Sequence, residues 1–114
     1  MEKYVDIDGK KVKFKATAST ARKYRQQFNR DLLIDMQNLS ESAGNGERLS
    51  ASALECFENI AYTMAKQADD SIPDTADDWL DEFEMFSIYT ILPQIIELWG
   101  LSNQTLETEA KKKR

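Results

Sequence analysis

Tyr4-Val5-Asp6-Ile7-Asp8-Gly9-Lys10-Lys11-Val12-Lys13-Phe14 decides the fold class. It reads as two short strands joined at Asp8-Gly9. Asp-Gly between alternating segments is the strongest short hairpin signal, because a two-residue type I′ turn needs positive φ at both central positions. That turn sets Val5 opposite Val12 and Lys3 opposite Phe14, with Ile7 on the same face. On the other face Asp6 meets Lys11, an opposite-charge cross-strand pair. An isolated hairpin is marginally stable, so its apolar face must pack on something else.

Beyond the hairpin the chain reads as helical. Ser19 or Thr20 caps a first helix whose Ala21, Tyr24 and Phe28 recur at i, i+3 and i+7. Asn29 stands where a left-handed C-cap residue suits. A second helix starts near Asp31, with Leu32, Leu33, Met36 and Leu39 inward. Residues 40–48, with Gly44-Asn45-Gly46, read as a flexible loop. Ser52 and Glu55 have capping-box spacing. They open a third helix, to about Ala68, with Leu54, Phe57, Ile60, Ala61, Met64, Ala65 and Ala68 in one stripe. A turn around Pro73 leads to a fourth helix from about Thr75, using Trp79, Leu80, Phe83 and Phe86. The last helix carries Ile88, Ile91, Leu92, Ile95, Ile96, Leu98 and Trp99. It is apolar around most of its circumference, which predicts a central buried helix or an oligomer contact. Pro93 kinks it or marks its true start, and Gly100 has the form of a Schellman stop. The expected fold is α+β and mostly α, a hairpin followed by four to five helices. Residues 1–101 form one domain and 102–114 a flexible charged tail.

Composition narrows the function. A chain of 114 residues, 41% hydrophobic, suffices for one core without metal or disulfide staples. The single cysteine, Cys56, forbids an intrachain disulfide and fits a reducing cytoplasm. No signal peptide is visible at the N-terminus, and no apolar run is long enough to span a bilayer. There is no histidine, so no Ser-His or Cys-His pair and no His-ligated metal can be built. Neither Walker A, GxGxxG, GxSxG nor SxxK occurs. These absences favour a non-enzymatic protein without a cofactor.

Charge is segregated. Residues 1–30 hold nine Lys/Arg against three Asp/Glu, residues 31–110 hold two against seventeen, and 111–114 add four cations. The acids between Asp69 and Glu84 lack the alternation, the sixth-position Gly and the twelfth-position Glu of a calcium loop. Asp77 and Asp78 instead suit the first turn of a helix, where negative charge complements the dipole. The basic face of the hairpin and first helix, including Lys11, Lys13, Arg22 and Arg25, fits an acidic protein partner or neighbouring subunit. The acidic body argues against nucleic acid. Cys56, with no basic sequence neighbour, reads as an inert thiol. Trp79, Phe83 and Trp99 are chiefly core residues, with a secondary candidacy as contacts for a partner helix.

An ordered series of segments resembles the tail assembly chaperones of long-tailed phages and prophages of Gram-positive bacteria. It begins with Ile7-Asp8-Gly9-Lys10 and Phe14-Lys15-Ala16-Thr17-Ala18. It continues through Tyr24-Arg25, Phe28-Asn29-Arg30-Asp31 and Phe57-Glu58-Asn59-Ile60-Ala61-Tyr62. It ends with Trp79-Leu80, Phe83-Glu84-Met85-Phe86 and Leu92-Pro93-Gln94-Ile95-Ile96-Glu97-Leu98-Trp99. The family pattern has glycine where this chain has Asn29, which also tolerates left-handed backbone. The resemblance implies a small α-rich protein with no catalytic residues. It implies a role in coating the tape measure protein, and acting near the tail tube protein, in the cytoplasm of the bacterial host. It further implies absence from the mature virion. The alternative is a small dimeric adaptor or regulatory protein encoded by a mobile element, with neither nucleic acid nor membrane as partner in either case.

Overall fold

Asp8 and Gly9 both take positive φ, 54° and 79°, in the computed structural model, which describes residues 2–44 and 49–98. They join β1 (Glu2–Ile7) and β2 (Lys10–Lys15) into an antiparallel pair. Val5 faces Val12, Lys3 faces Phe14 and Asp6 faces Lys11, the register that the Asp-Gly turn demands. Val5, Ile7 and Phe14 are buried, with Val12 partly so. One face of this small sheet therefore joins the core and the other meets water.

Helix α1 (Thr20–Phe28) ends at Asn29, whose φ of 57° and ψ of 41° are left-handed. Its start differs from a simple side-chain cap. The Ser19 hydroxyl makes no cap bond, because its backbone is helical (φ −85°, ψ −7°) and not in the extended conformation that side-chain capping uses; it takes a hydrogen bond from the Gln67 amide at 3.2 Å. Thr20 Oγ1 instead accepts from Thr17 N at 2.8 Å and donates to Gln67 Oε1 at 2.6 Å. Helix α2 (Leu32–Gly44) is capped by Asp31, whose carboxylate takes the backbone N–H of Leu33 at 2.9 Å. Its inward face is Leu32, Asp35, Met36 and Leu39, an i, i+3, i+4, i+7 set that turns Leu33 outward, against expectation. The helix also runs to Gly44, so residues 40–44 are helical and not loop. The rest of that expected loop, residues 45–48, lies outside the described residues.

Helix α3 (Ala51–Ala68) is capped by Ser50, which accepts from Ala53 N at 3.1 Å. The capping box expected at Ser52 is not used. Residues 60–65 of α3 are buried in an unbroken run, which one amphipathic face cannot produce. The helix has neighbours all round: β2, α1, α2, α4 (Ala76–Leu80) and the 3-10 turn Ser87–Ile91. Each fully buried large apolar side chain contributes about 1.5–3 kcal/mol, so α3 is the element on which the others depend. The last helix, expected to be a central buried helix or an oligomer contact, buries Ile95 and Leu98 among the described residues.

Helix α4 is short because Asp81, Glu82 and Glu84 follow it. Carboxylates at a helix C-terminus oppose its dipole. Its N-terminus is well made: Thr75 Oγ1 accepts from Asp78 N at 3.2 Å, and Asp77 and Asp78 occupy the first turn. The chain then passes through the 3-10 turn into helical backbone over 92–98, here called α5. Pro93 sits in the first turn of α5, where its missing N–H is harmless; it marks the helix start. Ile88, Ile91, Ile95 and Leu98 are buried. Trp99, Gly100 and the charged tail 102–114 lie outside the described residues. No described helix is long and apolar enough to cross a membrane.

Candidate protein-contact surface

A groove of about 220 Å³ runs between β2, the turn before α4 and the segment after it. It brings together Lys11, Lys13, Trp79 and Phe83, residues far apart in sequence. Their availability differs. Trp79 is 1% exposed. Its ring meets Phe14 at 6.4 Å, Tyr62 at 5.9 Å and Phe83 at 5.3 Å. It is a core residue, which removes it from the contact candidates. Phe83 is half-buried, with Lys10 Nζ 5.5 Å from its ring centroid. Lys13 pairs with Glu2 at 3.2 Å and lies 5.7 Å from the Tyr4 ring. The Glu2 hydrogen bond and charge raise the Lys13 pKa. Lys11 stands exposed, opposite Asp6. Arg22 and Arg25 are exposed on α1 and do not line this groove. Trp99 lies outside the described residues.

A second, wider groove of about 630 Å³ takes Lys15, Lys23, Gln26, Gln27, Lys66 and Gln67 among its walls. It is polar and cationic, but Lys66 is already engaged. Its ammonium donates to the carbonyls of Asp70 at 2.8 Å and Ile72 at 2.6 Å, and to the Asp74 carboxylate at 3.1 Å. Lys66 thus fastens the turn before α4 onto α3.

Asp35 is a buried group that the sequence does not disclose. It is 4% exposed. Its carboxylate accepts from Tyr24 Oη at 2.7 Å and from Arg30 Nε and Nη2, each at 2.8 Å. The bidentate Arg30 pair, helped by the Tyr24 hydroxyl, holds the Asp35 pKa below the usual carboxylate range against the opposing effect of burial. Burial and the adjacent carboxylate push the Tyr24 phenol up. Cys56 is half-buried beside this cluster. Burial, then Asp35, raises its thiol pKa, with Arg30 opposing. That suppresses the nucleophilic thiolate. The network ties α1 to α2.

The solvent-facing apolar groups lie elsewhere. Met85 is 78% exposed and Phe86 71%. Expected to point inward from a fourth helix, Phe86 points outward because α4 ends at Leu80 and a series of turns carries residues 81–86. Asp8 pins these turns: its carboxylate accepts from Glu84 N at 2.7 Å and from the Ser87 hydroxyl. Leu33 and Ile34 form a second exposed pair on α2. Among the described residues no group of three or more Cys, Asp or Glu is arranged to hold a metal ion. Compared with protein-family models, with curated proteins and with solved structures, the chain matches none.

Proposed function

We propose that this chain is a tail assembly chaperone of a long-tailed phage or prophage. It binds the tape measure protein in the host cytoplasm, keeps it soluble while the tail tube assembles, and is left out of the virion. The observation that carries the reading is the ordered series of resembling segments from Ile7-Asp8-Gly9-Lys10 to Leu92-Pro93-Gln94-Ile95-Ile96-Glu97-Leu98-Trp99. Two physical features support it. Those segments supply much of one core, including Phe14, Tyr24, Phe57, Tyr62, Trp79 and Ile95. The surface combines exposed apolar side chains with net negative charge, a combination that covers a partner's apolar stripe while keeping the complex dispersed. No catalysis, cofactor, nucleic acid or membrane enters this reading.

The test is co-expression with the tape measure protein encoded by the same genetic element. The long protein should move to the soluble fraction and co-purify with this chain. A tape measure protein equally insoluble with and without it would refute the reading. The exposed Leu33 and Ile34 pair favours a second reading, a small adaptor acting through a fixed dimer. A dimer of constant mass that ignores tape measure segments would select that alternative.

A further inference from the structure

Met85 and Phe86 are the two most exposed large apolar side chains of the described residues, and they are adjacent. They are also held in place. On one side the Glu84 N–H is tied to Asp8; on the other, the Ser87 hydroxyl is tied to the same carboxylate. The intervening turn is closed by Ser87 N to Glu84 O at 3.1 Å, and Tyr89 N reaches Phe86 O at 3.2 Å. A turn whose backbone is already fixed spares the backbone part of the ordering cost on docking. Methionine and aromatic side chains are enriched at the centres of protein interfaces.

The surroundings state the partner's charge. Asp77, Asp78, Asp81, Glu82 and Glu84 are all exposed within eight residues of chain. Lys10 donates to Glu82 O at 3.2 Å, and Lys11 and Lys13 line the groove on the Glu82 and Phe83 side. An exposed apolar pair that follows directly on these acids in the chain fits an apolar seam flanked by Lys and Arg. We infer that Met85 and Phe86 dock into the apolar seam of a basic-flanked amphipathic helix on a partner protein. Under the chaperone reading that helix belongs to the tape measure protein; the inference rests on that reading for the partner's identity and not for its chemistry.

Two other occupants fit less well. An anionic lipid surface is repelled by these acids. A second copy offers a basic face on its hairpin and α1 that can pair by charge, but among the described residues Tyr4 is the one exposed large apolar side chain there, and Lys13, itself paired with Glu2, lies over that ring, so the knob of Met85 and Phe86 has no apolar seat on it.

The probe is a synthetic amphipathic helix of about 20 residues, long enough to be helical, with Lys/Arg flanks. A control peptide has the same apolar stripe and Glu flanks. Binding is followed by calorimetry in low and high salt. The intact chain should bind the basic peptide saturably, and the control at least tenfold more weakly. Replacing both knob residues, Met85→Ser with Phe86→Ser, should weaken the basic peptide at least tenfold while the melting temperature stays unchanged. The charge variant Asp81→Lys with Glu84→Lys keeps the knob. It should lose at least tenfold in low salt and much less in high salt, where charges are screened.

Three results overturn the inference. The intact chain fails to bind the basic peptide; or the knob variant or the charge variant binds like the intact chain; or the knob variant falls from oligomer to monomer in light scattering, which assigns the knob to a second copy. Co-expression separates this inference from the functional reading. A knob variant that still solubilises the tape measure protein removes the surface and leaves the function. An intact chain that fails to solubilise it removes the function, while the peptide result still decides the surface.

Discussion

Replacing Asp35 with alanine separates a stabilising buried carboxylate from an incidental one. The Tyr24 hydroxyl, on a fully buried residue, would lose the acceptor it meets at 2.7 Å. A buried hydroxyl without a partner costs about 1–3 kcal/mol. The Arg30 pair contributes less than a fully buried ion pair, because the Arg30 side chain is 53% exposed. Its guanidinium would return to water and not be stranded, so its loss adds little. The total is about 1–3 kcal/mol, or a melting temperature lowered by about 4–12 °C for a domain of this size. Urea unfolding followed by circular dichroism at neutral pH measures it. Tyr24→Phe should cost about 1–2 kcal/mol, and the double variant should show coupling of about 1 kcal/mol, because the two residues share one bond. The pH dependence has a definite sign. Asp35 has a lowered pKa when folded, so its stabilisation is complete above the unfolded carboxylate range and is lost as pH falls through the folded value. The deficit of Asp35→Ala should therefore shrink in acid. A change below about 0.5 kcal/mol at neutral pH, or a deficit constant down to strong acid, would refute this account.

Trp79→Ala should cost about 3–5 kcal/mol by opening a cavity at the junction of Phe14, Tyr62 and Phe83; denaturant unfolding with a loss near zero would mean that the ring is not core. Asn29→Ala should cost about 1 kcal/mol because alanine resists the left-handed φ of 57°, whereas Asn29→Gly should stay within about 0.5 kcal/mol, a difference that thermal melts resolve. The division between basic residues 1–30 and the acidic residues after them predicts weak self-association, with the hairpin and first helix of one copy meeting the acidic surface of another. Light scattering at high concentration should show it fading with salt and unchanged by the Met85 and Phe86 replacements; salt-independent monomers would exclude it.

The hairpin is fully legible in the sequence because a single dipeptide dictates both turn type and register. Asn29 is legible for a similar reason: few residues tolerate left-handed backbone, so their positions carry information. Helix ends are less so. Ser50, Ser52 and Glu55 offer competing caps, and spacing alone does not choose among them. Leu33 defeats a reading that equates apolar with inward, although Asp31 as N-cap fixes the phase that turns Leu33 out. Asp35 escapes because a lone acid on an inward face contradicts hydrophobic patterning. Its partners, Tyr24 and Arg30, come from the preceding helix and the turn after it. Phe86 misleads because Phe83 and Phe86 continue a helical period that the acids after Leu80 terminate. At the contact surface, Lys11, Lys13 and Phe83 line one groove, but the exposure of Met85 and Phe86 depends on where α4 stops, which periodicity does not reveal.

The Asp8 hook spans most of the described chain: one carboxylate in the first turn made holds residues 76 and 79 positions later. On the ribosome the hairpin emerges before the helices and can close locally within microseconds. Its apolar face then stays bare until α3 arrives, and its turn stays unlatched until Glu84 and Ser87 appear. Presentation of Met85 and Phe86 therefore comes after α4 has been made and depends on the hairpin having closed in register. A misregistered nascent chain lacks the latch, so recognition by way of this knob is confined to chains in which Asp8 has already met Glu84 and Ser87.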